Sequence, residues 1–224
     1  MTRFPITLLL ISLTIPACSQ SVRDLVKPAH DVAVSSTIRT SLSQAAEVEA
    51  FTRLPDQDAV IVYDTVRSTP GTTDFMDNRP HIAILSDGNV KLDLDVLSLV
   101  RGGPAIFKGM AILQGQERNA VAAFAFSLAV DGSDTFFVFV GRGPSDYRVT
   151  GTLHGLQAQL HFGQKAELEL WSAKGQGTCV WCLKPYSVTK LGWSDAKLHE
   201  LAPATDAGAY RPENLADEPF VVRK

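Results

Sequence analysis

Two apolar runs, Val121 to Val130 and Thr135 to Val140, are joined by Asp131-Gly132-Ser133-Asp134. Ser127 and Thr135 are the only polar residues in them. A strand with one wet face alternates apolar and polar residues, and these runs do not. They are therefore expected to form a central hairpin between two further layers, because Phe136-Phe137-Val138-Phe139-Val140 left in water would invite aggregation. A chain built around such a hairpin must supply apolar surface on both sides of it.

The flanking sequence is written in the same β grammar of short apolar runs and turn residues. Ala59 to Tyr63, His81 to Leu85, Ala105 to Leu113, Tyr147 to Leu153, Cys179 to Leu183, Ser187 to Trp193 and Lys197 to Leu201 read as strands. Val90 to Val96, Leu156 to Phe162 and Ala166 to Leu170 alternate apolar and polar residues, the signature of strands with one wet face. Ser86-Asp87-Gly88-Asn89 supplies a hairpin turn. Only one segment has a helical period: Ile38, Leu42, Ala45, Ala46, Val48 and Phe51 predict a helix from Ser36 to Leu54, with Ser35 or Ser36 as N-cap and Pro55 as stop. From Ala202 to Lys224, three prolines and no period predict an extended tail on the surface. The expected fold class is mainly β, an antiparallel β-sandwich or bent antiparallel sheet with one N-terminal helix docked on it. Residues 36–201 form the helix-plus-β domain and 202–224 the tail.

The 224 residues are 45% hydrophobic and 20% charged, which suits one globular domain. A net charge of −3 with no basic cluster argues against a nucleic-acid partner.

The N-terminus reads as an export signal, with Arg3 before an apolar run from Ile6 to Ile15 and small residues after it. That run is far shorter than the roughly 20 residues of a membrane-spanning helix. Leu13-Thr14-Ile15-Pro16-Ala17-Cys18 resembles the lipobox of bacterial lipoproteins. The resemblance implies removal of residues 1–17, lipidation of Cys18 as the new N-terminus, and residues 18–35 as a spacer. Ser19 stands where an Asp is associated with inner-membrane retention, so the resemblance points to the outer membrane. Ordinary cleavage after Ser19, leaving Gln20 first, is the alternative. Cysteine arithmetic favours the lipid: with three cysteines present, modifying Cys18 leaves an even pair, Cys179 and Cys182.

Cys179-Val180-Trp181-Cys182 is expected to be a structural disulfide, since no helix follows it to stabilise a thiolate. Cα atoms three residues apart in a flat strand are about 10 Å apart, beyond the roughly 4.4 to 6.8 Å of a disulfide, so Val180 and Trp181 belong in a turn. Zinc would need two further ligands, and the histidines follow no ligand spacing; no metal or other cofactor is expected. His161, in line with Gln157 and Gln159, reads as a solvated strand histidine. The polar stretch from Thr65 to Pro80 is long for a β connection and makes Arg67, Asp74, Asp77, Asn78 and Arg79 a candidate ligand loop. Arg101-Gly102-Gly103-Pro104 and Arg142-Gly143-Pro144 are similar turns, candidates for presenting a guanidinium to an anion. No nucleophile elbow, phosphate loop or dinucleotide glycine pattern occurs. The expected function is a non-enzymatic envelope lipoprotein, in the periplasm or at the outer membrane and held by lipid on Cys18, binding an envelope protein or small ligand. A secreted hydrolase or a CxxC thiol-disulfide protein is the alternative.

Overall fold

The computed structural model describes residues 21–66, 79–100, 104–114, 120–128, 134–143, 146–163, 168–175, 183–194, 197–210 and 218–223. In chain order its strands are β1 (Ser21–Val26), β2 (Glu47–Arg53), β3 (Ala59–Asp64), β4 (Pro80–Ser86), β5 (Asn89–Asp95), β6 (Ile106–Gln114), β7 (Ala120–Ser127), β8 (Asp134–Arg142), β9 (Tyr147–Leu156), β10 (Gln159–Phe162), β11 (Leu168–Ala173), β12 (Lys184–Ser194), β13 (Lys197–Glu200), β14 (Thr205–Tyr210) and β15 (Phe220–Val222). Among the described residues one α-helix, α1 (Ser36–Ser41), precedes β2. The strands make three sheets: β2-β3-β4-β5, β1-β6-β7-β8-β9, and β13-β12-β11-β10-β15 with β14 also on β12. Of these pairings, all are antiparallel except that of β10 with β15.

The five-stranded sheet is the middle layer, and its hairpin β7–β8 explains why. On one face Phe124, Phe126, Phe136 and Val138 join Val60, Val62, Ile82 and Ile84 of the four-stranded sheet in one core. On the other, Ala123, Ala125, Phe137 and Phe139 join Leu160, Leu168, Leu170 and Leu191 of the third sheet. Alternate residues of the same two strands thus serve two cores, as the absence of a polar face requires. A third cluster covers the outer face of the four-stranded sheet, where Ile38 and Leu42 meet Val48, Ile61 and Tyr63.

The expected helix from Ser36 to Leu54 is corrected: α1 ends at Ser41, a turn follows, and Glu47–Arg53 is the strand β2. Ser35 caps α1, accepting from the Ile38 N–H. The false period comes from a β-bulge. The β2–β3 register shifts between Val48 and Ala50, so Val48 and Phe51, three apart, pack in the same cluster while Ala50 lies in another. One extra residue turns the two-residue spacing of a strand into the three-residue spacing of a helix.

The expected spacer contains β1, which pairs with Met110 to Gln114 and closes one edge of the middle sheet. Leu156 to Phe162 is split: Gln157, at φ 46, turns the chain between β9 and β10. In place of the expected surface tail, residues Thr205–Tyr210 and Phe220–Val222 are strands of the third sheet, β14 on β12 and β15 on β10. Phe220 buries its ring against Phe137, with centroids 5.9 Å apart.

Candidate functional site

The connection from β2 to β3 is a tight turn. Gln57 N–H donates to the Leu54 carbonyl at 2.9 Å, Leu54 N–H donates to the Asp58 carbonyl at 2.9 Å, and Gln57 sits at φ 76. The Arg53 guanidinium donates to the Gln57 carbonyl at 2.8 Å, stiffening the turn. Asp56 and Asp58 are thereby aimed at the end of the middle sheet, where β8 finishes and β9 begins. Tyr147 Oη donates to Asp58 Oδ2 at 2.7 Å, and Arg142 donates to Asp56 Oδ2 at 3.0 Å. Arg142 also lies over the Tyr147 ring, 5.7 Å from its centroid. Burial, then the hydrogen bond to Asp58 and the nearby charge of Asp56, push the Tyr147 phenol well above its ordinary pKa. It stays a donor at any physiological pH.

Two cavities meet at Asp58, which is buried at 8% exposure. The larger, about 250 Å³, is lined by Ser35, Thr37, Arg53, Asp56 and Asp87. Asp87 is placed there by the β4–β5 turn, in which Asp87 (φ 50) and Gly88 (φ 79) take the left-handed conformations of a two-residue hairpin. Ser41 Oγ donates to the Gly88 carbonyl and ties that turn to α1. The smaller cavity, about 80 Å³, is lined by Ser86, Lys91, Arg142, Asp146 and Tyr147. Both cavities carry both signs: Arg53 stands with Asp56, Asp58 and Asp87 in the larger, and Lys91 and Arg142 stand with Asp58 and Asp146 in the smaller.

A second group of charges lies at the far end of the four-stranded sheet, where Glu47, Glu49 and Asp64 converge. Glu47 and Asp64 are almost fully buried, and His30 Nδ1 is 2.8 Å from Glu47 Oε1. Burial, with Asp64 and Glu47 beside it, pushes Glu49 up to about 8; Lys108 opposes the shift. Burial likewise raises Asp64 to about 6. Among the described residues Asp64 Oδ1 has no hydrogen-bond partner. Thr65 N–H reaches the Arg79 carbonyl at 3.3 Å, so the expected ligand loop has its base beside this cluster. Of that loop Arg79 is exposed, and Arg67, Asp74, Asp77 and Asn78 lie outside the described residues. Cys18, Cys179 and Cys182 lie outside them as well.

His161 is not the solvated histidine its strand register suggests, being only 3% exposed. Its ring stacks on Trp171 at 4.7 Å, and Arg223 Nε donates to its Nδ1 at 3.2 Å. That bond leaves the proton of a neutral ring on Nε2, facing Gln159 Oε1 at 3.3 Å. Burial and then Arg223 lower its pKa to about 4. The outer face of the third sheet is thus an aromatic layer under Tyr210, which spacing alone does not reveal.

Lastly, an apolar groove of about 300 Å³ runs between the edges of β1 and β15, with Leu25 and Val222 exposed along it. Among the described residues no group of three or more His, Cys, Asp or Glu is arranged to hold a metal, and no helix is long and apolar enough to cross a membrane. Compared with protein-family models, curated proteins and solved structures, the chain has no significant match.

Sequence spacing singles out Arg142 alone of the groups around Asp58, as part of an Arg/Gly/Pro turn suited to an anion. In the fold that anion is the chain's own Asp56. Pro55-Asp56-Gln57-Asp58 is a readable turn, but its partner Tyr147 is 89 residues away in sequence from Asp58.

Proposed function

We propose that the chain is an exported bacterial envelope lipoprotein, held in the membrane through lipid on Cys18, whose β domain is a non-enzymatic binding module. The observation that carries this reading is the arrangement at Asp58. Its polar groups are fixed by turn backbone and by one another, Tyr147 on Asp58 and Arg142 on Asp56, beside open cavities. Groups held this way recognise a ligand without reorganising, which lowers the entropic cost of binding. The anchor is supported by the Ala17-Cys18 junction, which in sequence lies three residues before the first residue of β1. The groove beside Leu25 and Val222 offers a second, apolar surface for an envelope protein. Cys179 and Cys182 form a structural disulfide in this reading.

Intact-mass analysis of protein extracted from membranes tests it. The expected species begins at Cys18 and carries acyl mass. A mature chain beginning at Gln20 with no acyl group refutes the anchor. A hydrolase is the second reading, favoured by the proton-sharing carboxyls of Glu49 and Asp64. It requires turnover of an ester, amide or glycoside that disappears in Glu49→Gln.

A further inference from the structure

We infer that the open edge of β15 docks a second copy of this chain, the two copies joining their third sheets in an antiparallel seam about Val221. The inference rests on the binding-module reading only in naming the partner of its apolar groove, and it needs neither the lipid nor the Asp58 cleft.

β15 is paired on one side alone. Leu160 N–H donates to the Pro219 carbonyl at 2.9 Å, and Arg223 N–H donates to the Phe162 carbonyl at 3.0 Å. Residues 219, 221 and 223 therefore turn their backbone groups toward β10, and alternation turns those of Phe220 and Val222 away from it. β15 ends its sheet, and among the described residues no strand takes up those groups. A proline often blunts such an edge by lacking an N–H. Pro219 does not, because its nitrogen lies on the β10 side. Charge does not blunt it either: the other end strands, β1, β2, β5, β9 and β13, each carry charged residues, and Phe220-Val221-Val222 carries none.

Self-complementarity names the occupant. An antiparallel two-fold about Val221 sets Phe220 opposite Val222 of the partner subunit, and Val222 opposite Phe220 of the partner subunit, so every outward amide group of the edge is paired. The exposed side chains match as well. Leu25 on β1 and Val222 on β15, 44% and 49% exposed, stand on the two walls of the groove. A second copy covers them with like apolar surface while it continues the third sheet. Charge does not oppose the meeting of identical surfaces. Lys27 Nζ lies 3.6 Å from Glu218 Oε1 on the rim, and the Lys108 charge is answered by Glu49.

Sedimentation equilibrium of the full chain in density-matched dodecyl maltoside tests the seam, and a reversible monomer–dimer equilibrium is expected. Val222→Pro removes only an outward N–H, so it should weaken the dimer at least tenfold and leave the melting temperature unchanged. Val221→Cys reads the register. On the axis the two Cα atoms form a non-hydrogen-bonded pair about 4.5 Å apart, within the range of a disulfide. Mild oxidation should give a covalent dimer well above the wild-type background, and adding Val222→Pro should suppress it. A chain that stays monomeric at about 0.1 mM, a dimer indifferent to Val222→Pro, or no cross-link at position 221 overturns the seam. A lipidated chain that stays monomeric refutes the seam and leaves the anchor standing. A dimer of chain without acyl mass supports the seam and refutes the anchor.

Discussion

Replacing Glu49 by Gln should change how stability depends on pH. Burial first, and the carboxylates of Asp64 and Glu47 next, raise the Glu49 pKa from its ordinary 4.5 to about 8. A carboxyl raised on folding contributes stability that is present below its unfolded pKa and is lost as pH rises through the folded value. The wild type should therefore weaken from about pH 5 to about pH 8. If Glu49 ionised alone, that interval would correspond to about 5 kcal/mol at about 1.36 kcal/mol per pH unit. Asp64, itself raised to about 6, is coupled to Glu49, so the loss belongs to the pair and only part of it, about 2 to 3 kcal/mol, goes with the Glu49 proton. The amide introduced by Glu49→Gln keeps a donor for Asp64 and has no proton to lose. Urea unfolding of both proteins at pH 5, 7 and 9 should show Glu49→Gln more stable than wild type by about 2 kcal/mol at pH 9, and no more stable at pH 5. Parallel curves, with a constant difference at all three values, would refute the placement of a buried carboxyl cluster there.

Phe126→Ala and Phe137→Ala should each cost about 3 to 5 kcal/mol, and because the two rings serve opposite cores the losses should nearly add in the double variant, measured by denaturant unfolding. Tyr147→Phe removes the donor from buried Asp58 and should cost about 1 to 3 kcal/mol in the same assay; an unchanged midpoint would mean Asp58 has another donor. Replacing both Cys179 and Cys182 by Ser should lower the melting temperature only modestly, because the loop closed is very short and a loop of about 15 residues contributes about 3 kcal/mol. Two titratable thiols in freshly purified native protein would contradict the disulfide.

What can be read from sequence depends on how local the cause is. The β7–β8 hairpin is legible because burial on both faces is written directly in Val121 to Val140. β2 reads as helix because its bulge at Glu49 gives Val48 and Phe51 helical spacing, and a bulge leaves no compositional mark. β1 and β15 look like linker because each is a short edge strand stabilised by a distant partner, β6 and β10. The same reason hides the site. Asp58 meets Tyr147, and His161 meets Arg223, only after the sheets stack. Arg142 is the exception, since its Gly-Pro turn advertises an exposed guanidinium.

Hydrogen–deuterium exchange of the protein in its membrane, against the same protein in detergent, asks directly which end of the sandwich faces the lipid. Protection on membrane incorporation should fall on residues 54–58, 86–89 and 146–148, the turns that build the cleft. Thr65, Arg79 and Lys108, at the opposite end, should exchange equally in both. The first residue of β1 lies at the Arg142 and Tyr147 end of the middle sheet, so protection at Thr65, Arg79 and Lys108 with none around Asp58, or no difference anywhere, would contradict a domain anchored through the chain before β1.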